Sequence, residues 1–221
     1  MKKLVFGIAI LAIAVMSQAQ RGFGGGMMGG AGNPLMLLTR DDVKKDLALT
    51  DDQSEKLAPL TDPQQFFPKI QKAMQDAGVD FQEMRTEAGQ KKMAPIMEKI
   101  QADMKKEIEA ILTPAQAKRL GEINVQFNGN RAVLQKDIAK AIGLTDDQNK
   151  SIAELQKKQG EAMRGLFQKL QSQEITREDM QESMKKNNEI LDSEIGKLLT
   201  EAQKAKLKEM GGKKFEKKDD N

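Results

Sequence analysis

The stretch "LTDDQ" at residues 49–53 occurs a second time at residues 144–148, 95 positions later. A variant follows each copy, "LTPAQ" at 112–116 and "LTEAQ" at 199–203. In each of these LTxxQ motifs a Thr precedes a Gln by three positions, which is the capping-box pattern: the Thr hydroxyl accepts from the backbone N–H of the Gln, and the Gln side chain accepts from the backbone N–H of the Thr. Each motif therefore predicts a helix start, with the cap residues Leu49, Thr50, Gln53, Leu112, Thr113, Gln116, Leu144, Thr145, Gln148, Leu199, Thr200 and Gln203.

The residues inside the motifs also suit a helix start. Acids stand at Asp51–Asp52, Asp146–Asp147 and Glu201, where the positive end of the helix dipole favours them, and Pro114 stands in a first turn, where its missing N–H costs little. The two Asp pairs could alternatively serve acid–base or metal chemistry. Adjacent residues of a helix point about 100° apart, however, so the sequence favours the structural role.

The two LTDDQ motifs belong to a duplicated segment. At an offset of 95 residues, Val43 aligns with Ile138 and the flanking residues match in type. The sequence "FNGN" at 127–130 is a strong turn signal between the copies. We therefore predict two helical units, at residues 35–127 and 131–210, each with one LTxxQ motif near its start and one near its end.

Apolar residues between the motifs repeat at helical spacing. Six of them in the first half are separated by three or four positions, and the second half contains two similar stripes. No segment alternates as a strand does, so the sequence predicts an all-α fold of helical hairpins. Because proline breaks or bends a helix, Pro63, Pro68 and Pro95, together with Gly78, predict shorter or kinked helices in the first half.

Methionine is frequent, with 14 in the chain. Its side chain adapts its shape, which suits surfaces that accept varied partners. The alternative is that the helical stripes are core, and both roles can coexist because a thin helical layer has one face to pack and another to expose. The candidate client-binding residues on the stripes are Met93, Met97, Met104, Met180 and Met184.

The N-terminus has the pattern of a secretory signal. Two lysines precede the apolar run Leu4–Met16, and small residues follow at Ser17 and Ala19, which predicts a signal peptide over residues 1–19. A membrane anchor would need roughly 20 apolar residues, and the run is shorter than that. We therefore expect an exported protein, periplasmic or otherwise extracytoplasmic, that is soluble after cleavage and not embedded in a membrane.

Two further segments are predicted to lack regular structure. Residues 20–34 form a Gly-rich flexible linker. Its glycines at 24, 26 and 29 match G-x-G-x-x-G, but the strand–turn–helix context that a nucleotide site requires is missing. Residues 211–221 predict a charged, disordered tail.

Composition argues against catalysis and against cofactors. The chain has no His and no Cys, so the usual nucleophile–base pairs are missing, and we expect no enzyme, no metal site and no cofactor. Its 36 basic and 33 acidic residues nearly balance once Lys2 and Lys3 are removed with the signal, and Trp and Tyr are absent, so we expect no nucleic acid partner.

Four LTxxQ motifs behind a signal peptide, in a Met-, Lys- and Gln-rich helical chain, resemble the Spy/CpxP family of periplasmic proteins. The resemblance covers residues 37–210, with one family unit in each half. It implies an all-helical fold of bent hairpins and, from the best understood members, an antiparallel dimer whose shallow cradle holds non-native proteins without ATP. Because two units lie in one chain, we hypothesise an intramolecular pseudo-dimer. Some relatives bind zinc through His or Cys, a role that this chain lacks the residues for.

The leading hypothesis is an exported, ATP-independent chaperone-like protein that holds unfolded or stress-damaged envelope proteins. The alternative is an envelope-stress adaptor or structural interaction module with one specific protein partner. A third hypothesis, in which Met27 and Met28 bind Cu(I), rests on two soft ligands that the linker composition explains equally well.

Overall fold

The computed structural model of the protein describes residues 34–80, 83 and 86–216, without the side chains of Pro63, Phe66, Phe67, Glu87 and Gln90. The predicted signal peptide, the Gly-rich linker up to residue 33 and residues 217–221 lie outside these ranges. Every regular element within them is helical, which confirms the all-α prediction. The α-helices are α1 (Pro34–Leu37), α2 (Asp41–Asp46), α3 (Asp51–Thr61), α4 (Pro63–Asp76), α5 (Glu87–Ile111), α6 (Pro114–Asn128), α7 (Lys136–Ile142), α8 (Asp146–Gln171), α9 (Arg177–Leu198) and α10 (Glu201–Met210), and a 3-10 helix (Gly129–Leu134) lies between α6 and α7.

The described chain divides into two compact units, unit 1 up to Leu120 and unit 2 over Gly121–Glu216. The boundary lies inside α6, upstream of the turn signal at 127–130. That signal does form a local turn, since Gly129 has φ +57° and begins the 3-10 helix. Val125, however, already packs in the core of unit 2. The turns of α6 up to Leu120 therefore belong to unit 1, and the later turns belong to unit 2.

Unit 1 contains α1 to α5 and the first turns of α6. Asp62 separates α3 from α4: its carboxylate accepts from the Gln64 N–H at 2.9 Å, and Pro63 occupies the first turn of α4. Pro95, by contrast, lies inside α5, which runs for 25 residues and is not shortened. The apolar residues buried in this unit are Leu35, Leu37, Leu38, Val43, Leu47, Leu57, Leu60, Ile70, Met74, Val79, Met93, Met104, Ile108, Leu112 and Leu120.

Unit 2 consists of a short helix, α7, a capped long helix, α8, a returning helix, α9, and a capped closing helix, α10, whereas unit 1 has two separate helices, α3 and α4, between its first cap and α5. The short helix α7 ends at Gly143, whose φ of +75° is the left-handed conformation that glycine adopts without a steric penalty. The returning helix α9 begins at Thr176, whose hydroxyl accepts from the Asp179 N–H. The buried cluster that holds the unit together consists of Val125, Ala132, Val133, Ile138, Ile142, Ile152, Leu191, Ile195, Leu199 and Leu207.

The C-terminal segment departs from the prediction of a disordered tail. Residues 211–216 pack on α6, where Gly211 is buried and Phe215 is only 5% exposed. The prediction of disorder was wrong for residues 211–216. It rested on their charged composition, whereas the Phe215 ring finds a partner in the Phe127 ring, with the ring centroids 5.7 Å apart. Residues 217–221 are outside the described part of the chain.

Candidate functional site

All four threonines of the LTxxQ motifs lie at helix N-caps. The Thr50, Thr113, Thr145 and Thr200 hydroxyls accept from the backbone N–H of Gln53, Gln116, Gln148 and Gln203 at 3.2, 3.3, 3.2 and 3.3 Å. The Gln side-chain oxygens accept in return from the Thr backbone N–H groups at 2.9–3.1 Å. Each motif therefore forms a reciprocal capping box, and α3, α6, α8 and α10 begin there.

In unit 1 the two motif glutamines also bond to each other. Gln53 Nε2 donates to Gln116 Oε1 at 2.8 Å, and Gln116 Nε2 donates to Gln53 Oε1 at 3.0 Å. The second N–H of each amide reaches a backbone carbonyl, that of Ile111 for Gln53 and that of Leu47 for Gln116. Ile111 is the last residue of α5 and Leu47 follows α2, so each Gln satisfies a carbonyl at the end of the helix that precedes its partner's motif.

Unit 2 repeats this arrangement. Gln148 Nε2 donates to Gln203 Oε1 at 2.8 Å, and Gln203 Nε2 donates to Gln148 Oε1 at 2.8 Å. The remaining N–H groups reach the Leu198 carbonyl at 2.7 Å and the Gly143 carbonyl at 3.0 Å. We refer to these two arrangements as the glutamine pairs, Gln53–Gln116 and Gln148–Gln203.

A glutamine pair leaves no hydrogen-bonding capacity unused. A Gln amide has two N–H donors and an oxygen with two acceptor sites, and each member uses all four. The pair carries no charge and no group that transfers protons near neutral pH, so its chemistry is structural: it joins the start of one helix to the end of another. Sequence reasoning identified each Gln as a cap but missed the pairing. The signal was present, because the same amide recurs at the same capping position in both motifs of each half.

The motif leucines fill the space beside the caps. Leu112 and Leu199 are buried, whereas Leu49 and Leu144 are half-buried. A second apolar residue eight positions after each motif Leu is buried as well: Leu57, Leu120, Ile152 and Leu207. At each of these helix starts, buried apolar side chains thus lie next to the hydrogen bonds of a glutamine pair.

The hairpin of α8 and α9 has a contrasting surface. No residue from 153 to 190 is buried, although this stretch contains most of α8 and most of α9. Its apolar side chains stay partly accessible, because two helices and the turn between them cannot fully enclose the side chains that they carry. We name this set the open seam; its half-buried members are Leu155, Met163, Leu166, Phe167, Leu170, Ile175, Met180 and Met184.

Charges around the open seam balance. Residues 153–190 contain seven Lys or Arg and seven Asp or Glu. The Lys186 ammonium donates to the Glu182 carboxylate at 2.8 Å, and this contact raises the pKa of the lysine. At the start of α9, hydrogen bonds from the Thr176 backbone and hydroxyl lower the pKa of Asp179. The surface is therefore apolar along the seam and mixed in charge beside it, without one dominant sign.

The five candidate methionines are in two different environments. Met93 and Met104 are 3% and 4% exposed in the core of unit 1, so the prediction that they contact a client has to be corrected: the helical stripe that carries them packs inward. Met97 is half-buried. Met180 and Met184 belong to the open seam. Helical spacing identified the apolar face in both units but could not show which face a further helix covers.

The described residues contain no cluster of three or more acidic side chains placed to bind a metal ion. None of the described helices combines the length and the apolar character that crossing a membrane requires.

Comparison with known proteins gives no relative. No family model matches the chain, and no curated protein and no solved structure is significantly similar to it.

Proposed function

We propose that the protein is an exported, ATP-independent chaperone-like protein that holds unfolded or stress-damaged proteins of the cell envelope. The observation that supports this proposal best is the open seam, in which Met, Leu, Ile and Phe side chains remain partly accessible over 153–190 in a helical hairpin. The LTxxQ motifs and the signal-like N-terminus support the same proposal through the resemblance to periplasmic Spy/CpxP proteins.

The physical basis is reversible apolar contact. Burying apolar surface contributes about 25 cal/mol per Å², so a client segment gains affinity in proportion to the seam area that it covers. Met163, Met180 and Met184 adapt to side chains of different shape, which allows one surface to accept many sequences. Because the charges beside the seam balance, binding there should depend weakly on salt.

Aggregation suppression tests the proposal. The mature protein at a stoichiometric ratio should suppress the aggregation of an unfolding substrate, followed by light scattering. Met180→Lys combined with Met184→Lys should require about fivefold more protein, equivalent to about 1 kcal/mol of lost contact. The matched control is Gln156→Lys combined with Gln181→Lys, which adds the same charge to exposed positions of the same hairpin, one on α8 and one on α9, outside the seam. Equal activity of both variants, or no activity of the parent protein, contradicts the proposal.

Partner range and location are tested separately. Cross-linking in cell-envelope extract should capture many proteins, whereas one dominant partner would favour the adaptor. Export predicts a mature N-terminus near Gln20, determined by mass spectrometry of the protein recovered from the extracytoplasmic fraction.

A further inference from the structure

One side chain of α6 holds the C-terminal segment of unit 2. The Gln126 amide nitrogen donates to the backbone carbonyls of Gly211 and Lys213, the latter at 2.8 Å, and its oxygen accepts from the backbone N–H of Phe215 at 2.8 Å. The amide thus pairs with main-chain groups alone. Such pairing does not depend on the side chains of the segment that is bound.

Within the C-terminal segment, the buried side chain is that of Phe215. The Phe215 ring is 5% exposed and lies 5.7 Å from the Phe127 ring at an interplanar angle of 48°, an arrangement that aromatic pairs favour. The side chains of Lys213, Lys214 and Glu216 are exposed. The contacts therefore favour an aromatic residue at position 215 and place no demand on the residue types at positions 213, 214 and 216.

A second position selects glycine. Gly212 has φ +58°, and a Cβ atom on it would lie 2.2 Å from the Glu122 side-chain carboxyl carbon. A residue with a side chain would be strained at this positive φ and would require the Glu122 carboxylate to move, so the position favours glycine. Together with Phe215, this defines the bound pattern as Gly-x-x-aromatic in an irregular, non-helical segment.

We propose that Glu122, Gln126 and Phe127 form a peptide-binding site for Gly-x-x-aromatic segments of non-native client chains, and that residues 211–216 occupy this site in cis as a built-in competitor. The inference rests on the proposed function, since it names the client segments. Non-native chains expose such segments, whereas folded proteins bury their aromatic residues. The cis segment follows the end of α10 at Met210, so it can leave the site without unfolding a helix.

Peptide binding tests the site directly. The probe is a fluorescein-labelled peptide with the chain's own residues 210–218, "MGGKKFEKK", and binding is followed by fluorescence anisotropy. Phe215→Ser weakens the cis competitor, so this variant should bind the probe about tenfold more tightly than the parent protein does, because apparent affinity scales with the fraction of open sites. Adding Gln126→Ala should abolish binding, whereas adding Gln181→Ala, at an exposed position of α9, should not. A probe with Ser in place of Phe should not bind.

Hydrogen exchange on the unmodified chain gives a second measurement that does not depend on the variants folding. Excess probe should displace the tail and accelerate exchange of the Phe215 amide, which Gln126 protects in the structure. Unchanged protection together with no probe binding overturns the proposal. A parent protein that is dimeric by light scattering and becomes monomeric with the probe also overturns it, because the tail would then occupy the site of a second copy.

Aggregation suppression by the parent protein is measured in parallel. Suppression without probe binding counts against this site alone, whereas probe binding without suppression counts against the proposed chaperone function alone.

Discussion

At the scale of single residues, the glutamine pairs place the strictest requirement on hydrogen bonding in the described part of this protein. Gln53 and Gln203 are 9% and 7% exposed, so their amides are withdrawn from water and depend on protein partners. A buried polar group without a partner costs about 1–3 kcal/mol, whereas a fully bonded one is close to neutral or mildly stabilising. The pairs therefore specify which helix ends meet, because any other arrangement leaves buried amide groups without partners.

Breaking one pair should show this dependence. Gln203→Leu removes the partner of one Gln148 N–H, of one Gln148 oxygen acceptor site and of the Gly143 carbonyl, so we expect a loss of about 1–3 kcal/mol in the free energy of unfolding, measured by urea denaturation. The double variant Gln148→Leu/Gln203→Leu should lose less than the sum of the two single variants, because it removes both halves of the pair. Gln156→Leu, at an exposed position, should change stability by at most about 0.5 kcal/mol. Additive losses would show that the two amides do not depend on each other.

Asp179 makes one cap sensitive to pH. Its pKa is lowered in the folded protein by the Thr176 hydrogen bonds, so its contribution is complete above the pKa of an unfolded Asp and is lost as the pH falls through the lowered value. We expect the first turn of α9 to exchange its amide protons faster as acid protonates Asp179, followed by NMR. The box of Thr145 and Gln148 has the same geometry with an amide in place of the capping carboxylate, so its cap hydrogen bonds should respond less. A response of equal size at both caps, or its persistence in Asp179→Asn, would contradict this assignment.

At the scale of helices, α9 joins two environments. Its C-terminal half enters the core, where Ile195 is completely buried, while Ile190, five residues earlier, is 60% exposed. The same helix thus stabilises unit 2 at one end and borders the open seam at the other. The difference arises because the 3-10 helix and α7 pack near the base of the hairpin, and residues 153–190 include no buried position.

An identical substitution at the two positions should separate these roles. Ile195→Ala removes a buried side chain and leaves a cavity, so we expect a loss of about 2–5 kcal/mol in the free energy of unfolding. Ile190→Ala should cost at most about 0.5 kcal/mol, since the side chain is largely in water already. Chemical denaturation followed by circular dichroism measures both. Similar losses would mean that the distal hairpin is packed more tightly than its exposure indicates.

At the scale of the whole molecule, each unit closes its own core and its own glutamine pair within a single chain. All members of the buried cluster of unit 2 lie between Val125 and Leu207, and Gln148 and Gln203 pair within the same unit. Unit 1 closes its own glutamine pair between Gln53 and Gln116, and the duplication stays a prediction from the sequence. The pseudo-dimer remains a proposal; light scattering that gives the mass of one mature chain would support it, and an obligate dimer would count against it.

Unit 2 should fold without unit 1. A fragment of residues 113–216 retains all of α6, the buried cluster and the C-terminal segment, so we expect a helical circular dichroism spectrum and a cooperative thermal transition. The same fragment with Ile195→Ala should unfold at a lower temperature. A fragment without a cooperative transition would show that the core of unit 2 is insufficient alone.

The sequence by itself determined the helix starts and the fold class, because caps and apolar periodicity act within a few residues of the chain. Thr50, Thr113, Thr145 and Thr200 could be placed from four-residue patterns, and the C-terminal stop of α7 at Gly143 belongs to the same local chemistry. The tertiary structure alone decided which buried amides pair, which methionines are covered and where the tail goes. Those outcomes depend on contacts between residues 55 to 89 positions apart, such as Gln148 with Gln203 and Gln126 with Phe215, and local sequence patterns carry no information on which distant surfaces meet.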